Sequence, residues 1–417
     1  MIRNRSGARP AGAGAYVLMA ALAVELADEL VDGTKGAALP LIRQGLDLSY
    51  AQIGLLGSVP LLLGSLLELP FGLVAGQGRA RRRAVLIGGA AFVASLAAAA
   101  AAGTFAGLLV AFVAFYPASG AFVGLTQSTL MDAAADRQER YMASWTVAGS
   151  AGQVAGPVML IAVLAAGGGW RAAYVVLAAC AAAAWLGTAR YGPCLPSVPG
   201  DSRSVPGDSP RSVPGGGDPG QLGTAAAIRR AVSVLRRGDV MRWVVLLEVA
   251  NLLLDVLTGF VALYLVDVVH TTPAAAAIGV TIRLVALLAG DIALLAVLER
   301  VGGMTVLRAS VAAAALLYPA FLLVPGLVPK LLVLAVLSFA TAPWYTVLQA
   351  QLYRSLPGES GIALALTSAA SLVSGVGPLA VGLLAQRYGL AWALAALALA
   401  PVCLLGALRR PRGQLAR

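Results

Sequence analysis

Apolar runs of about 20 residues, each long enough to cross the hydrocarbon core of a bilayer, recur twelve times along this 417-residue chain. They fall at roughly 15–39, 51–75, 84–103, 105–131, 141–166 and 170–190, then at 240–268, 275–299, 304–324, 329–354, 360–386 and 389–409. In hydrocarbon the backbone must satisfy its own hydrogen bonds, so runs of this length read as helices. Only 12% of residues are charged, against about 25% in soluble domains, and 59% are hydrophobic. The expected class is therefore an all-α integral membrane protein with twelve transmembrane helices. The tail MIRNRSGARP leads straight into the first run without a cleavage-site pattern, so no removable signal is expected.

Basic residues sort to one side of this map. Arg3, Arg5 and Arg9 precede the first run, Arg79, Arg81, Arg82 and Arg83 follow the second, and Arg137 and Arg140 follow the fourth. Arg229, Arg230, Arg236, Arg237 and Arg242 precede the seventh run, and Arg409, Arg410 and Arg412 close the chain. The opposite side keeps Arg43, Arg171, Lys330 and Arg387. The positive-inside rule then places both termini in the cytoplasm, in a cell inner membrane. This bias accounts for the net charge of +11, so nucleic acid is not an expected partner.

Between the sixth and seventh runs the composition changes. Residues 191–222 are rich in Pro, Gly, Ser and Asp and repeat Ser-Val-Pro-Gly from Ser197, Ser204 and Ser212, which cannot build a core. The stretch after it sets Arg229, Arg230, Arg236 and Arg237 beside Ile228, Val232 and Leu235, either an amphipathic surface helix or a topogenic charge cluster. The expected organisation is a tail at 1–14, a six-helix bundle at 15–190, a cytoplasmic linker at 191–239, a second bundle at 240–409 and a tail at 410–417.

The two halves repeat each other. Glu25, Asp28, Asp32 and Gly36 recur as Glu248, Asn251, Asp255 and Gly259, each 223 positions on. Ile53-Gly54 recurs as Ile278-Gly279 after 225, and Gly156-Pro157 as Gly377-Pro378 after 221. Parallel repeats of six spans imply two bundles related by an axis along the membrane normal.

The acids of the first run carry the functional signal. Glu25, Asp28, Glu29 and Asp32 follow the i, i+3, i+4, i+7 spacing of one helical face. Each acid at the bilayer centre costs about 2.5–3.5 kcal/mol, so the stripe must face protein or a wet cavity. Buried acids in spans commonly serve substrate or proton paths. Asp32 and Asp255 hold matched places near mid-depth; the alternative for the first group is a structural network with Lys35. Glu68 and Asp291, deep in the second and eighth runs, are further proton-path candidates. Arg283 is expected to pair with Asp267 or Asp255. Substrate-binding candidates are Glu248, Asn251, Gln127, Trp344, Tyr345 and Gln349, because aromatics with polar neighbours suit an amphipathic ligand; for any one aromatic, helix packing is the commoner explanation. Glycines such as Gly149, Gly152 and Gly156 suit close helix contacts that slide.

The chain resembles the major facilitator superfamily over nearly its whole length. The loop GLVAGQGRARRR is similar to that family's Gly-x-x-x-Asp-Arg-x-Gly-Arg signature: Gly72 and the basic cluster fit, while Gly76 stands where the family has Asp. Glu299, Arg300 and Gly302 fit the second-half copy. Gly152-x-x-x-Gly156-Pro157 resembles part of the antiporter motif, with Leu160 and Ile161 in place of its trailing glycines. The resemblance implies gating roles for Gly72, Arg79, Arg81, Glu299, Arg300, Gly152, Gly156 and Pro157, and a central cavity between spans 1, 4, 7 and 10. Within the family, the opening resembles bacterial drug-efflux members.

No phosphate-loop motif and no metal or triad constellation is present, so an enzyme, a cofactor and a metal are not expected. Cys180, Cys194 and Cys403 show no pairing pattern. The expectation is a monomeric, proton-coupled exporter of a small amphipathic or cationic compound working by alternating access. The alternatives are a symporter for a nutrient or small organic acid, and a sensor or assembly factor that does not transport.

Overall fold

The computed structural model describes residues 13–74, 78–133, 138–191, 237–355, 372 and 375–409. Residues 192–236 of the linker, 1–12 of the first tail and the whole of the second tail lie outside the described residues, as do the basic clusters at 229–236 and 410–412. Of Glu68, Gly72 and Arg79 only the backbone is described, and the same holds for Asp132.

The described chain is helical. Its first half comprises α1 (Ala13–Leu46), α2 (Tyr50–Val74), α3 (Gly78–Ala101), α4 (Phe105–Ser119), α5 (Leu125–Ala133), α6 (Gln138–Ala165) and α7 (Trp170–Tyr191). Its second half comprises α8 (Gly238–Asp267), α9 (Pro273–Leu298), α10 (Gly303–Leu323), α11 (Leu327–Thr341), α12 (Pro343–Ser355), α13 (Gly377–Tyr388), α14 (Leu390–Ala396) and α15 (Leu399–Arg409). Among the described residues, nine helical stretches are long and apolar enough to cross a membrane. The first helix is not one of them, because its acids lower its hydropathy.

Three departures from uninterrupted spans matter for the site. Helix α1 continues through Pro40 to Leu46, several residues past the expected end of the first run, and so carries Arg43 to the far end of the helix. The fourth run is broken by a π-turn at Gly120–Gly124 between α4 and α5, after Pro117. Wide turns of this kind cluster at functional sites because they rotate the side chains that follow. The tenth run breaks at Ala342, ahead of Pro343, whose ring cannot continue the ladder of α11.

Helix α1 packs most extensively on α6, then on α7 and α8. Glycines make the α1–α6 approach possible. A Cβ at Gly156 would lie 2.6 Å from the Thr34 nitrogen and 2.7 Å from the Leu30 oxygen, and one at Gly33 would strike the Gln153 carbonyl. Without a hydrophobic drive between helices in lipid, such backbone contact is the main source of association. Across the halves α2 packs on α13, α6 on α9, and α1 on α8. Gly54 faces Pro378 and Leu379, with Cβ positions 2.6 Å from the Pro378 oxygen and 2.9 Å from the Leu379 Cα.

The α1–α6 contact makes a prediction. Gly156→Leu forces the two backbones apart, where overpacking costs about 1–3 kcal/mol. The variant should insert and remain monodisperse in detergent, yet melt several degrees lower than wild type. An unchanged melting temperature would show that the contact is not tight.

Candidate functional site

The four acids of α1 do not share one environment. Glu25 and Glu29, a turn apart, turn toward α6. Glu25 is 8% exposed and hydrogen-bonds Trp145, and a Cβ at Gly149 would meet its Oε1 at 2.7 Å. Glu29 hydrogen-bonds Gln153, with Gly152 beneath it: a Cβ there would lie 3.0 Å from the Glu29 Cβ. The glycine stripe of α6 is thus the seat for two carboxylates.

Asp28 and Asp32 face elsewhere. Asp28 accepts a 2.8 Å hydrogen bond from Ser119 Oγ, on the last residue of α4 before the π-turn. The Asp32 side chain is 55% exposed, with Lys35 Nζ 3.9 Å away. Lys35 is better held by α4: its Nζ donates to Tyr116 Oη at 2.7 Å and lies 4.9 Å from that ring centroid. The polar network with Lys35 therefore exists, but it is centred on Tyr116 more than on Asp32.

From the second half α8 brings Asp255 to the same region. Asp255 is exposed, within electrostatic reach of Asp32, Arg283 and Glu248. The two acids that hold matched places in the repeat thus feel each other's charge across the junction of the halves. Arg283 is 3% exposed, donates to the Leu254 carbonyl at 3.2 Å and stabilises Asp255 electrostatically, which resolves its expected partner in favour of Asp255.

Asp267 is committed to the other half of the chain. Arg43 donates to its Oδ2 at 3.0 Å, and so does Tyr50 Oη at 3.0 Å, while the Arg43 guanidinium stacks 4.3 Å from the Tyr50 ring. The Tyr50 backbone N–H donates to Gln386 Oε1 at 3.1 Å, and the Leu379 N–H donates to Ser58 Oγ at 2.9 Å. These four bonds join the halves: three lie at the end of the helices away from the arginine clusters, and the Leu379–Ser58 bond lies about two turns deeper along α2. In the sequence Arg43 reads only as a topological charge. Its pairing joins positions 224 apart and leaves no local spacing to detect.

The remaining candidates divide. Trp344 was expected to line a ligand surface, but it is fully buried and its Nε1 donates to Ser310 Oγ at 2.7 Å, so it is packing between α10 and α12. Tyr345, next to it, is 47% exposed. Gln127, Glu248, Asn251 and Gln349 are half-buried. Asp291 is exposed on α9, away from a described ion pair. Arg81 is half-buried, whereas Glu299 and Arg300 are exposed at the end of α9. Pro157 lies within α6 beside Gly156. Among the described residues no cluster of His, Cys, Asp and Glu has a metal-binding arrangement.

Comparison with known proteins agrees with this architecture. The family model described as Major Facilitator Superfamily matches residues 13–375. Among solved structures, a bacterial homolog of the human lysosomal transporter Spinster, in an inward-facing and unoccupied conformation, superposes with a TM-score of 0.74 at 16% identity, covering 96% of this chain and 97% of that one. The nucleoside transporter NupG gives 0.73 at 13% identity over 95% and 98%, and the POT family transporter PepTSo gives 0.68 at 12% over 96% and 97%. No curated protein matches the chain by sequence.

The Arg43–Asp267 pair predicts a test of closure. In a cysteine-free background carrying Thr258→Cys, at the mid-depth contact of α8 with Gly36, an impermeant thiol reagent applied to intact cells should react slowly. Arg43→Asp or Asp267→Arg alone should raise the labelling rate roughly tenfold, as expected for losing a partly buried charge pair. The double swap should restore slow labelling. Equal rates in all four proteins would remove the pair from any role in closure.

Proposed function

The chain belongs to the major facilitator superfamily, and we propose that it is a secondary transporter that exports a small amphipathic, cationic compound in exchange for protons. The observation that carries the reading is the electrostatic coupling of Asp32 and Asp255, one from each half, where both are accessible and, among the described residues, neither has a cationic partner at hydrogen-bond distance. Two like charges in a partly desolvated site repel, and either a proton or a cationic ligand relieves that repulsion. Competition between the two for the same carboxylates is the simplest form of antiport.

The remaining acids fit a supporting part. Glu25 and Glu29, seated on the α6 glycines, connect the site to a helix contact that can slide, so that their protonation would bias the packing of α1 on α6. Asp28 orients α4 through Ser119. Glu68 and Asp291 remain candidates for the proton exit. With the arginine-rich loops in the cytoplasm, the Arg43–Asp267–Tyr50 junction closes the outer end, and the exposed Asp32 opens toward the inside. Alternating access then requires this junction to break as its counterpart at the inner end forms. The organisation into bundles at 15–190 and 240–409, with a cytoplasmic linker between, is part of the same proposal. No step calls for an enzymatic group or a cofactor, and a monomer suffices.

Everted membrane vesicles test the reading. With an acid interior imposed, vesicles containing the chain should accumulate fluorescent rhodamine dyes, and Asp32→Asn should reduce this by at least roughly tenfold, the amide keeping size but not charge. Asp255→Asn should reduce it as well. Accumulation only when the gradient is reversed would favour the symport alternative. Accumulation unchanged by both substitutions would refute antiport at these acids.

A further inference from the structure

The mechanism above uses the acids and leaves a buried cation unexplained. Lys35 sits in the core of the first half, between α1, α4 and α7. An ammonium has three donors. One goes to Tyr116 Oη at 2.7 Å. Asp32, at 3.9 Å, is beyond hydrogen-bond distance. The ring of Phe112, its centroid 5.8 Å from Nζ, helps to hold the charge without using a donor as a carboxylate would. Beside this group lies the hydroxyl of Tyr174. That residue is 0% exposed, its hydroxyl has no hydrogen-bond partner among the described residues, and it is within electrostatic reach of Lys35, Tyr116 and Asp32. A buried hydroxyl left unsatisfied is costly, and in native structures it commonly points at a ligand or a water.

We propose that Lys35 and the Tyr174 hydroxyl, with Tyr116, form a subsite for an anionic oxygen group of the substrate, such as a carboxylate, so that the transported compound is a zwitterion. The proposal deepens the export reading and rests on it for the cationic end, which Asp32 and Asp255 receive. The geometry requires the two ends to be close together. Asp32 and Lys35 are one turn apart on α1, so positive and negative groups of the ligand are separated by about one helical turn, ~5 Å. A ligand of this kind neutralises both the excess acid charge and the lysine, whereas a simple cation leaves Lys35 without a charge partner in direct contact. The lysine side chain is 18% accessible, so the ammonium is not sealed from the cavity side.

The test uses dye pairs that differ in one carboxylate: rhodamine B against its ethyl ester, and rhodamine 110 against its methyl ester. Binding to the purified chain in nanodiscs is read by fluorescence polarisation. The free acid should bind more tightly than the ester in at least one pair, by roughly tenfold, as expected for a charge-assisted hydrogen bond made in a buried site. Lys35→Gln should abolish that preference by weakening the acid and leaving the ester unchanged. Lys35→Arg, which keeps the charge, should retain much of it. Tyr174→Phe removes only the unpartnered hydroxyl, so it should fold normally and reduce the preference severalfold. Sodium acetate is the control for an anion taken from solution: suppression of ester binding together with acid binding would overturn a substrate-borne anion, and weakening of the acid alone would support it. Esters that bind as well as acids in both pairs, no binding by any dye, or a preference that survives Lys35→Gln would each refute the subsite. A Lys35-dependent preference without pH-driven accumulation in vesicles would leave the subsite standing and remove proton antiport.

Discussion

A carboxylate cannot rest against lipid hydrocarbon, and that single constraint organises the first helix and much that touches it. Four acids on one α-helix would cost roughly 10 kcal/mol if they faced the bilayer centre. Two of them are accommodated because α6 presents glycines where any larger residue would exclude them. Glu25 and Glu29 enter the α1–α6 interface against Trp145 and Gln153, and Asp28 reaches Ser119 at the π-turn. Only Asp32 is left substantially exposed, facing the region where α8 delivers Asp255. The helix that carries these acids is therefore the one most extensively packed on its neighbours.

The same helix links the two ends of the molecule. The middle of α1 carries the acids, and its end, prolonged beyond Pro40, carries Arg43 into its pair with Asp267. The α8 helix likewise carries Asp255 partway along and Asp267 at its end. A change of charge at the paired aspartates and a change of closure at the Arg43 end thus act on the same two helices. Their packing in lipid depends on close backbone contact rather than on a hydrophobic drive, so the cost of rearranging them is modest. In the proposed export cycle this is the physical link between occupancy and closure.

How much of this was legible in the sequence depended on whether the signal was local or repeated. The helices were legible from hydropathy, and Asp32 with Asp255 from a constant offset between the halves. Glycine spacing in α6 announced a close contact, although not that Glu25 and Glu29 would be its partners. The Arg43–Asp267 pair was invisible, since it depends on how two distant helix ends meet. Trp344 illustrates the opposite failure: composition suggested a ligand surface, but the Ser310 hydroxyl satisfies its indole within the packing of α10 and α12. The break in the fourth span was also hidden. Pro117 marks the place, yet a wide turn follows from packing that a sequence pattern does not encode. Lys35 was seen as a partner for Asp32, and only the fold revealed that Tyr116 and Tyr174 flank it.

The central claim is that ligand and proton compete for the same carboxylates, and proton release reads that competition directly. Rhodamine B added to the purified chain in weakly buffered solution, with a pH indicator present, should release protons as the dye binds. Release should fall sharply in Asp32→Asn and vanish when Glu25, Asp28, Glu29, Asp32 and Asp255 are neutralised together. Undiminished proton release from that fivefold variant, with dye still bound, would contradict the account.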